Sequence, residues 1–109
     1  MSGRLITINT DGTKHQVLVT SKRPTYEQFK TAVGGYIELI PDGGIRYEGR
    51  KREAYCNETG LIDGLPLNPE ATKLWKATYP ANAMFRYEPA LHGPVAIWIP
   101  DPKKAKEAA

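Results

Sequence analysis

Residues 94–100 read PVAIWIP, a short apolar run closed by a proline at each end. Because every residue between the prolines is apolar, a strand built from them presents apolar side chains on both of its faces. Such a strand is either central in a sheet that is covered twice, or an edge that pairs with a second subunit. A homo-oligomer is therefore one expectation, although the prolines limit how far such pairing extends.

The bulk composition bounds the class of protein. With 109 residues the chain fits a single α+β domain over residues 1–100, followed by a flexible tail over 101–109. Fifteen Lys and Arg against twelve Asp and Glu give a net charge of +3, too small for bulk charge alone to indicate nucleic acid. No apolar run approaches the roughly 18 residues of a membrane span. We expect a soluble protein of the cytoplasm, with no membrane partner.

Toward the N-terminus, residues 4–20 read RLITINTDGTKHQVLVT and predict a β-hairpin. Asp11-Gly12 supplies the positive φ angles of a tight turn, and β-branched residues flank it on both sides. A helix is predicted next, over residues 26–33. It begins with a capping box from Thr25 to Gln28 and ends at a left-handed Gly34.

A second glycine follows the end of this helix. Gly35 either permits a sharp turn into a strand over residues 36–40, or leaves room for a ligand or a second backbone to approach. The turn PDGG at 41–44 ends that strand. Residues 45–57 then form two short strands around a charged turn at Gly49–Arg52, or one long irregular strand, and Ala54–Cys56 is the stronger strand segment.

A second helix is predicted over residues 69–77, because Asn68 is a good N-cap and Pro69 suits the first helical position. Its inner face consists of Ala71, Leu74, Trp75 and Thr78. Residues 79–93 are predicted to be irregular, with a short strand at 84–87. The element order is therefore β-β-α-β-(β)-β-α-β, an α+β fold with two short helices packed on a mostly antiparallel sheet. Both tryptophans, Trp75 and Trp98, are expected in its core.

Several blocks of the sequence carry a family resemblance. AVGGYIELI, AYCNETG, GLPLNPEATKLW and the closing Gly-Pro-Val-Ala-Ile occur in this order. Over residues 25–99 the chain resembles a family of phage and mobile-element proteins known as domain of unknown function 3846. The resemblance implies a bacteriophage or prophage origin and the host cell cytoplasm. It implies no catalytic residues.

No catalytic or metal-binding constellation appears in the sequence. Cys56 is the only cysteine, so we expect a buried, inert thiol. Neither His15 nor His92 stands at a spacing that couples it to Cys56 or to metal-ligand partners. We therefore expect a protein that is not an enzyme and needs no cofactor. An enzyme would instead require a pocket in which one of these histidines meets a carboxylate.

Binding is the stronger hypothesis. The candidate ligand-binding residues are a basic cluster with an aromatic neighbour and the close-approach glycine: Gly35, Arg46, Arg50, Lys51, Arg52 and Tyr55. A small anionic nucleotide suits them better than duplex DNA, and a host protein is the other expected partner, with counter-defence as the expected role. The alternatives are a weak nucleic-acid binder that uses the same cluster, and a solvated hairpin tip balanced by Glu48 and Glu53.

Overall fold

The computed structural model describes residues 3–40, 44–60, 63–78 and 90–101. These residues form an α+β fold, as predicted. The optional strand of the predicted element order, in the segment 45–52, is a two-stranded ribbon. The elements are β1 Gly3–Ile8, β2 Lys14–Val19, α1 Tyr26–Val33, β3 Ile37–Leu39, β4 Ile45–Tyr47, β5 Arg50–Arg52, β6 Ala54–Asn57, α2 Pro69–Lys76 and β7 Val95–Pro100.

Five strands form one sheet in the order β2-β1-β7-β6-β3, and all of its neighbouring pairs are antiparallel. β7 is the middle strand, so the first alternative for residues 95–99 is confirmed. It is hydrogen-bonded to β1 on one side and to β6 on the other. Its edges are therefore not available to a second subunit, and the sheet ends instead at β2 and β3.

Alternate residues of β7 enter two separate hydrophobic cores. On one face, Ala96 and Trp98 pack with Leu5, Val19, Phe29 and Val33 beneath α1. On the other face, Val95, Ile97 and Ile99 pack in a second cluster with Ile45 of the ribbon and Ala71 of α2. Trp98 is buried, and Trp75 is half-buried against the second cluster. The fold thus has three layers, with α1 on one face of the sheet and α2 and the ribbon on the other.

The β1–β2 hairpin is present, with a loop of five residues, 9–13, between strands that pair from Ile8 to Lys14. Asp11 closes the loop, since its Oδ1 accepts hydrogen bonds from the backbone N–H of Thr13 at 2.9 Å and from its hydroxyl at 2.6 Å. Short polar side chains stabilise turns in this way.

The prediction of a turn at Gly49–Arg52 is wrong, because Arg50–Arg52 is strand β5. The turn lies one residue earlier, at Glu48 and Gly49, whose φ angles are 51° and 81°. Two successive positive φ angles suit a two-residue hairpin, whose twist matches that of the strands it joins. Tyr47 therefore pairs with Arg50, and Arg46 pairs with Lys51.

Helix α1 begins and ends as predicted. Both hydrogen bonds of the capping box between Thr25 and Gln28 are present, and Gly34 is left-handed with φ 78°. A Cβ on Gly35 would lie 2.7 Å from Nδ2 of Asn57. The space that this glycine leaves is thus occupied by a side chain of the protein itself, rather than by a second backbone.

The side chain of Asn68 joins three parts of the fold. It is completely buried, and its Nδ2 donates to the carbonyl oxygens of Ile8 and Gly93, both at 2.9 Å. Its Oδ1 accepts from the backbone N–H of Ala71 at 3.1 Å, so it also caps α2 as predicted. One carboxamide therefore connects β1, the segment before β7 and the start of α2.

Other predictions fall wholly or largely outside the described residues. They concern the turn at 41–44, of which only Gly44 is described, the short strand at 84–87 and the tail at 101–109, of which only Asp101 is described. Neither α1 nor α2, the helices that the described ranges contain, is long and apolar enough to cross a membrane.

We expect Asn68→Ala to lower the free energy of unfolding by about 3 kcal/mol, since it removes a helix cap and leaves two buried carbonyls without donors. Asn68→Asp keeps a capping oxygen but places a carboxylate against those carbonyls. It should therefore be at least as unstable as Asn68→Ala in urea unfolding. If the free energy of unfolding of Asn68→Asp were close to that of wild type, capping of α2 would account for the whole contribution of Asn68.

Gly35→Ala should cost about 1–2 kcal/mol, because its methyl group crowds the amide of Asn57. Gly34→Ala is the matched control. Its Cβ meets nothing within 4 Å, so its cost of about 1 kcal/mol comes only from the left-handed backbone. Repeating both changes in an Asn57→Ala chain should reduce the first cost and leave the second. Equal costs for Gly35→Ala in the two chains would rule out this explanation.

Candidate anion-binding cleft

A cleft of about 440 Å³ lies beside strand β5, at the end of β7. We call it the basic cleft. Its lining brings together residues from the segment before α1, from the ribbon and its exit, and from the last positions of β7: Arg23, Arg50, Lys51, Arg52, Glu53, Trp98 and Pro100. Three members of the predicted cluster thus line one concave surface.

The two carboxylates of this region are bound by arginines from outside the ribbon. Arg4 of β1 donates to both oxygens of Glu48, at 2.8 and 3.4 Å. Arg23 donates to both oxygens of Glu53, at 3.0 and 2.6 Å. Paired hydrogen bonds of this kind are among the stronger polar contacts in proteins. Each arginine holds the pKa of its carboxyl partner below the usual value by hydrogen bonding.

Within the described residues, Arg50 and Lys51 of β5 make no ion pair. Arg50 and Lys51 are exposed, and among the residues that the structure describes no carboxylate lies within 4.0 Å of either cation. Arg52 is half-buried and donates from Nε to the carbonyl of Tyr47 at 3.1 Å. That hydrogen bond holds the guanidinium of Arg52 in place and does not involve its two terminal nitrogens. Positive charge is thus concentrated at this cleft.

The remaining predicted site residues do not line the cleft, although the Tyr55 hydroxyl accepts a hydrogen bond at 3.4 Å from Arg23, which does. Arg46 pairs with Lys51 across the ribbon, but it donates to the carbonyl of Gly49 at 3.3 Å and does not line the cleft. Tyr55 lies under α1, with its ring centroid 4.4 Å from that of Phe29, and its hydroxyl donates to Glu53. Gly35 lies against Asn57. The structure therefore does not bring the six residues together.

Trp98 and Pro100 also line the cleft, and nothing in the sequence placed either of them here. Trp98 was expected only in the core, and Pro100 only as the end of a strand. Glu53 and Arg23 pair across 30 positions of the chain. No local sequence pattern predicts such a pair. For Trp98, the alternation of side chains along β7 is the sequence feature that predicts the face on which it lies.

A separate hollow of about 550 Å³ contains Cys56 and His92 together with Glu38 and Glu58. Burial, followed by the charge of Glu38, raises the pKa of the Cys56 thiol to about 11, the opposite of nucleophile activation. The thiol lies 3.8 Å from the carbonyl of Glu38, and His92 Nδ1 lies 3.0 Å from the carbonyl of Leu65. Within the described ranges, neither His15 nor His92 is in salt-bridge contact with a carboxylate.

In the part of the chain that the structure describes, no group of three or more His, Cys, Asp and Glu side chains is placed to hold a metal ion.

The Arg23–Glu53 pair gives a prediction for pH. Because the pKa of Glu53 is lowered on folding, its contribution to stability is present above the unfolded pKa of about 4.3 and is lost as the pH falls through the folded value. Glu53→Gln should destabilise the protein at pH 7, and the difference from wild type should shrink at pH 2.5. Urea unfolding at both pH values tests this.

The matched control is Glu58→Gln, an exposed carboxylate outside both described ion pairs. It should change stability little at either pH. A constant difference between wild type and Glu53→Gln across this range would contradict an ionic role for the pair.

Comparison with known proteins identifies the family. The sequence model of a family described as a domain of unknown function, DUF3846, matches residues 4–107. This span is longer than the segment 25–99 in which the sequence blocks show the resemblance. No curated protein and no solved structure gives a significant match. Since the family match covers nearly all of the 109 residues, the chain belongs to the DUF3846 family.

Proposed function

We propose that this protein acts by binding a small phosphate-bearing ligand, of the nucleotide class, in the basic cleft, without transforming it. One observation carries the proposal. The two nearby carboxylates, Glu48 and Glu53, are already bound by Arg4 and Arg23, while Arg50 and Lys51 have no described acidic partner. A solvated hairpin tip balanced by its own acids would instead pair the ribbon bases with those carboxylates.

The chemistry of the lining fits a phosphate. The planar guanidinium of Arg50 matches phosphate oxygens with two parallel hydrogen bonds, and Lys51 adds a compact positive charge. Glu53 also lines the cleft, but its negative charge is compensated by Arg23 at 2.6 Å. The buried Trp98 forms part of the wall and excludes water from one side. Charge-assisted hydrogen bonds strengthen where water is reduced.

The size of the cleft favours a small ligand over a duplex. A volume of about 440 Å³ lies within the range of small-molecule sites. Duplex binding draws on many phosphate contacts spread over a larger basic surface. Binding of single-stranded nucleic acid through the same bases is the second candidate, and Arg46 on the adjacent surface of the ribbon favours it.

The cellular role that accompanies this proposal is that of a phage accessory protein directed at a host protein or a small nucleotide signal, as in counter-defence. The family resemblance supports that setting. The absence of catalysis is part of the proposal, and the raised pKa of the Cys56 thiol supports it. The expectation of a homo-oligomer rested on β7 as an edge strand, and it loses that support because β7 is central.

Isothermal titration with ADP and with inorganic pyrophosphate tests the site. Arg50→Ala with Lys51→Ala should raise the dissociation constant at least about tenfold, because charge-assisted hydrogen bonds contribute roughly 1.5–3 kcal/mol each. The matched control removes two exposed lysines outside the cleft, Lys14→Ala with Lys73→Ala, and should leave affinity nearly unchanged. Equal weakening by both pairs, or no binding of either probe by wild type, would overturn the proposal.

Salt dependence separates the two candidates. Raising KCl from 50 to 200 mM should weaken ADP binding only a few-fold. A nucleic-acid binder that uses 6–10 phosphate contacts loses roughly 10³–10⁵ in affinity over this range. Fluorescence anisotropy with a labelled single-stranded oligonucleotide gives the comparison. A steep slope together with tight oligonucleotide binding would favour the second candidate.

A further inference from the structure

A second concave surface lies on the α1 side of the sheet, between that helix and the β1–β2 hairpin. We call it the helix–hairpin groove. It has a volume of about 540 Å³ and shares no lining residue with the basic cleft. Its lining consists of Leu5, Thr7, Asn9, His15, Val17, Glu27, Gln28, Thr31 and Ala32.

The groove exists because one short helix cannot cover five strands. Helix α1 packs over β7, β6 and β3. On the hairpin side of the helix, Thr7 pairs with His15 and Leu5 pairs with Val17, so these side chains lie in two adjacent rows on the same face of the sheet. Val17 remains 37 % exposed, although it is apolar. The floor is thus a strip of sheet with an apolar part, and the side of α1 is its wall.

The polar groups around this floor include several hydrogen-bond acceptors. Glu27 contributes a carboxylate, and its side chain makes no ion pair within the described residues. The amide nitrogen of Asn9 donates to the hydroxyl of Thr13 at 3.0 Å, and its side-chain oxygen is an acceptor. The hydroxyls of Thr7 and Thr31 can accept as well as donate. A ligand that supplies donors is therefore favoured.

Charge gives the same preference. No lysine or arginine lines the groove, and Glu27 is the only carboxylate among its lining residues. Glu27 and Thr31 are four positions apart on α1, so they lie one above the other on the same side of the helix. Glu27 lies in the first turn of α1, where the positive end of the helix dipole acts, and Thr31 lies one turn further along. The helix therefore opposes a cation least when the cation lies toward Thr31.

We propose that the helix–hairpin groove binds a primary amine attached to a compact apolar body. The ammonium group contacts the carboxylate of Glu27 and the hydroxyl of Thr31. The apolar body covers Leu5, Val17 and Ala32. This site is opposite in charge to the basic cleft, and it does not depend on the function proposed for that cleft.

Chemical-shift mapping by NMR with three probes of similar shape tests the inference: 2-phenylethylamine, 2-phenylethanol and 3-phenylpropionate. The amine should shift backbone amides of β1, β2 and α1, and it should bind about 1.4- to fivefold more tightly than the alcohol, the range given by a solvent-accessible ion pair. Phenylpropionate should bind more weakly than either. The same spectra show whether each variant is folded.

Glu27→Gln should remove the preference for the amine while leaving the binding of the alcohol unchanged, and Glu58→Gln is the control that should leave both unchanged. Val17→Lys should abolish binding of the amine, because it fills the groove with a long cationic side chain. Arg50→Ala with Lys51→Ala should have no effect on any probe. The inference is overturned if the shifts map elsewhere, if none occur, or if the three probes bind equally and Glu27→Gln changes nothing.

Discussion

Burial of both faces of β7 is the constraint on which the rest of the structure depends. Five consecutive apolar residues, 95–99, cannot be satisfied by one covering layer, since alternate side chains leave a strand in opposite directions. The fold supplies a cover for each side, α1 on one face and α2 with the β4–β5 ribbon on the other. Asn68 secures the second cover, because its carboxamide binds β1 and the segment before β7 while it starts α2.

The sequence predicts those parts of the fold whose signals are local. The capping box at Thr25, the left-handed Gly34 and the N-cap at Asn68 each involve residues a few positions apart, and all three are present. The turn at Glu48-Gly49 was misplaced because glutamate seldom adopts positive φ, so the pair does not resemble the usual hairpin dipeptides. The neighbour of Gly35 and the position of β7 depend on distant segments, which no local pattern reveals.

For the candidate site, too, local features could be predicted from the sequence and long-range contacts could not. Sequence reasoning found the bases of β5 because they are consecutive. It could not show that Glu48 and Glu53 are bound by Arg4 and Arg23, because those pairs join residues 44 and 30 positions apart. Yet those ion pairs determine whether the bases of the ribbon are neutralised by nearby carboxylates or remain able to bind an anion. Likewise, Glu27 became a candidate ligand-binding residue only because the fold places it beside an apolar strip of the sheet that the helix leaves uncovered. In both cases the functional interpretation depends on which groups lie beside a charged side chain, and the sequence alone does not show those neighbours.

The central place of β7 also bears on how the chain folds. β7 is the last strand in the described sequence, yet it separates β2-β1 from β6-β3 in the sheet. Until residues 95–100 are in place, the inner edges of β1 and β6 lack the strand with which they pair. Contacts between the first and last strands are the slowest kind to form, and waiting edges invite intermolecular pairing. The folding chain is therefore most vulnerable to aggregation before β7 inserts between the two half-sheets, when a chaperone would protect it best.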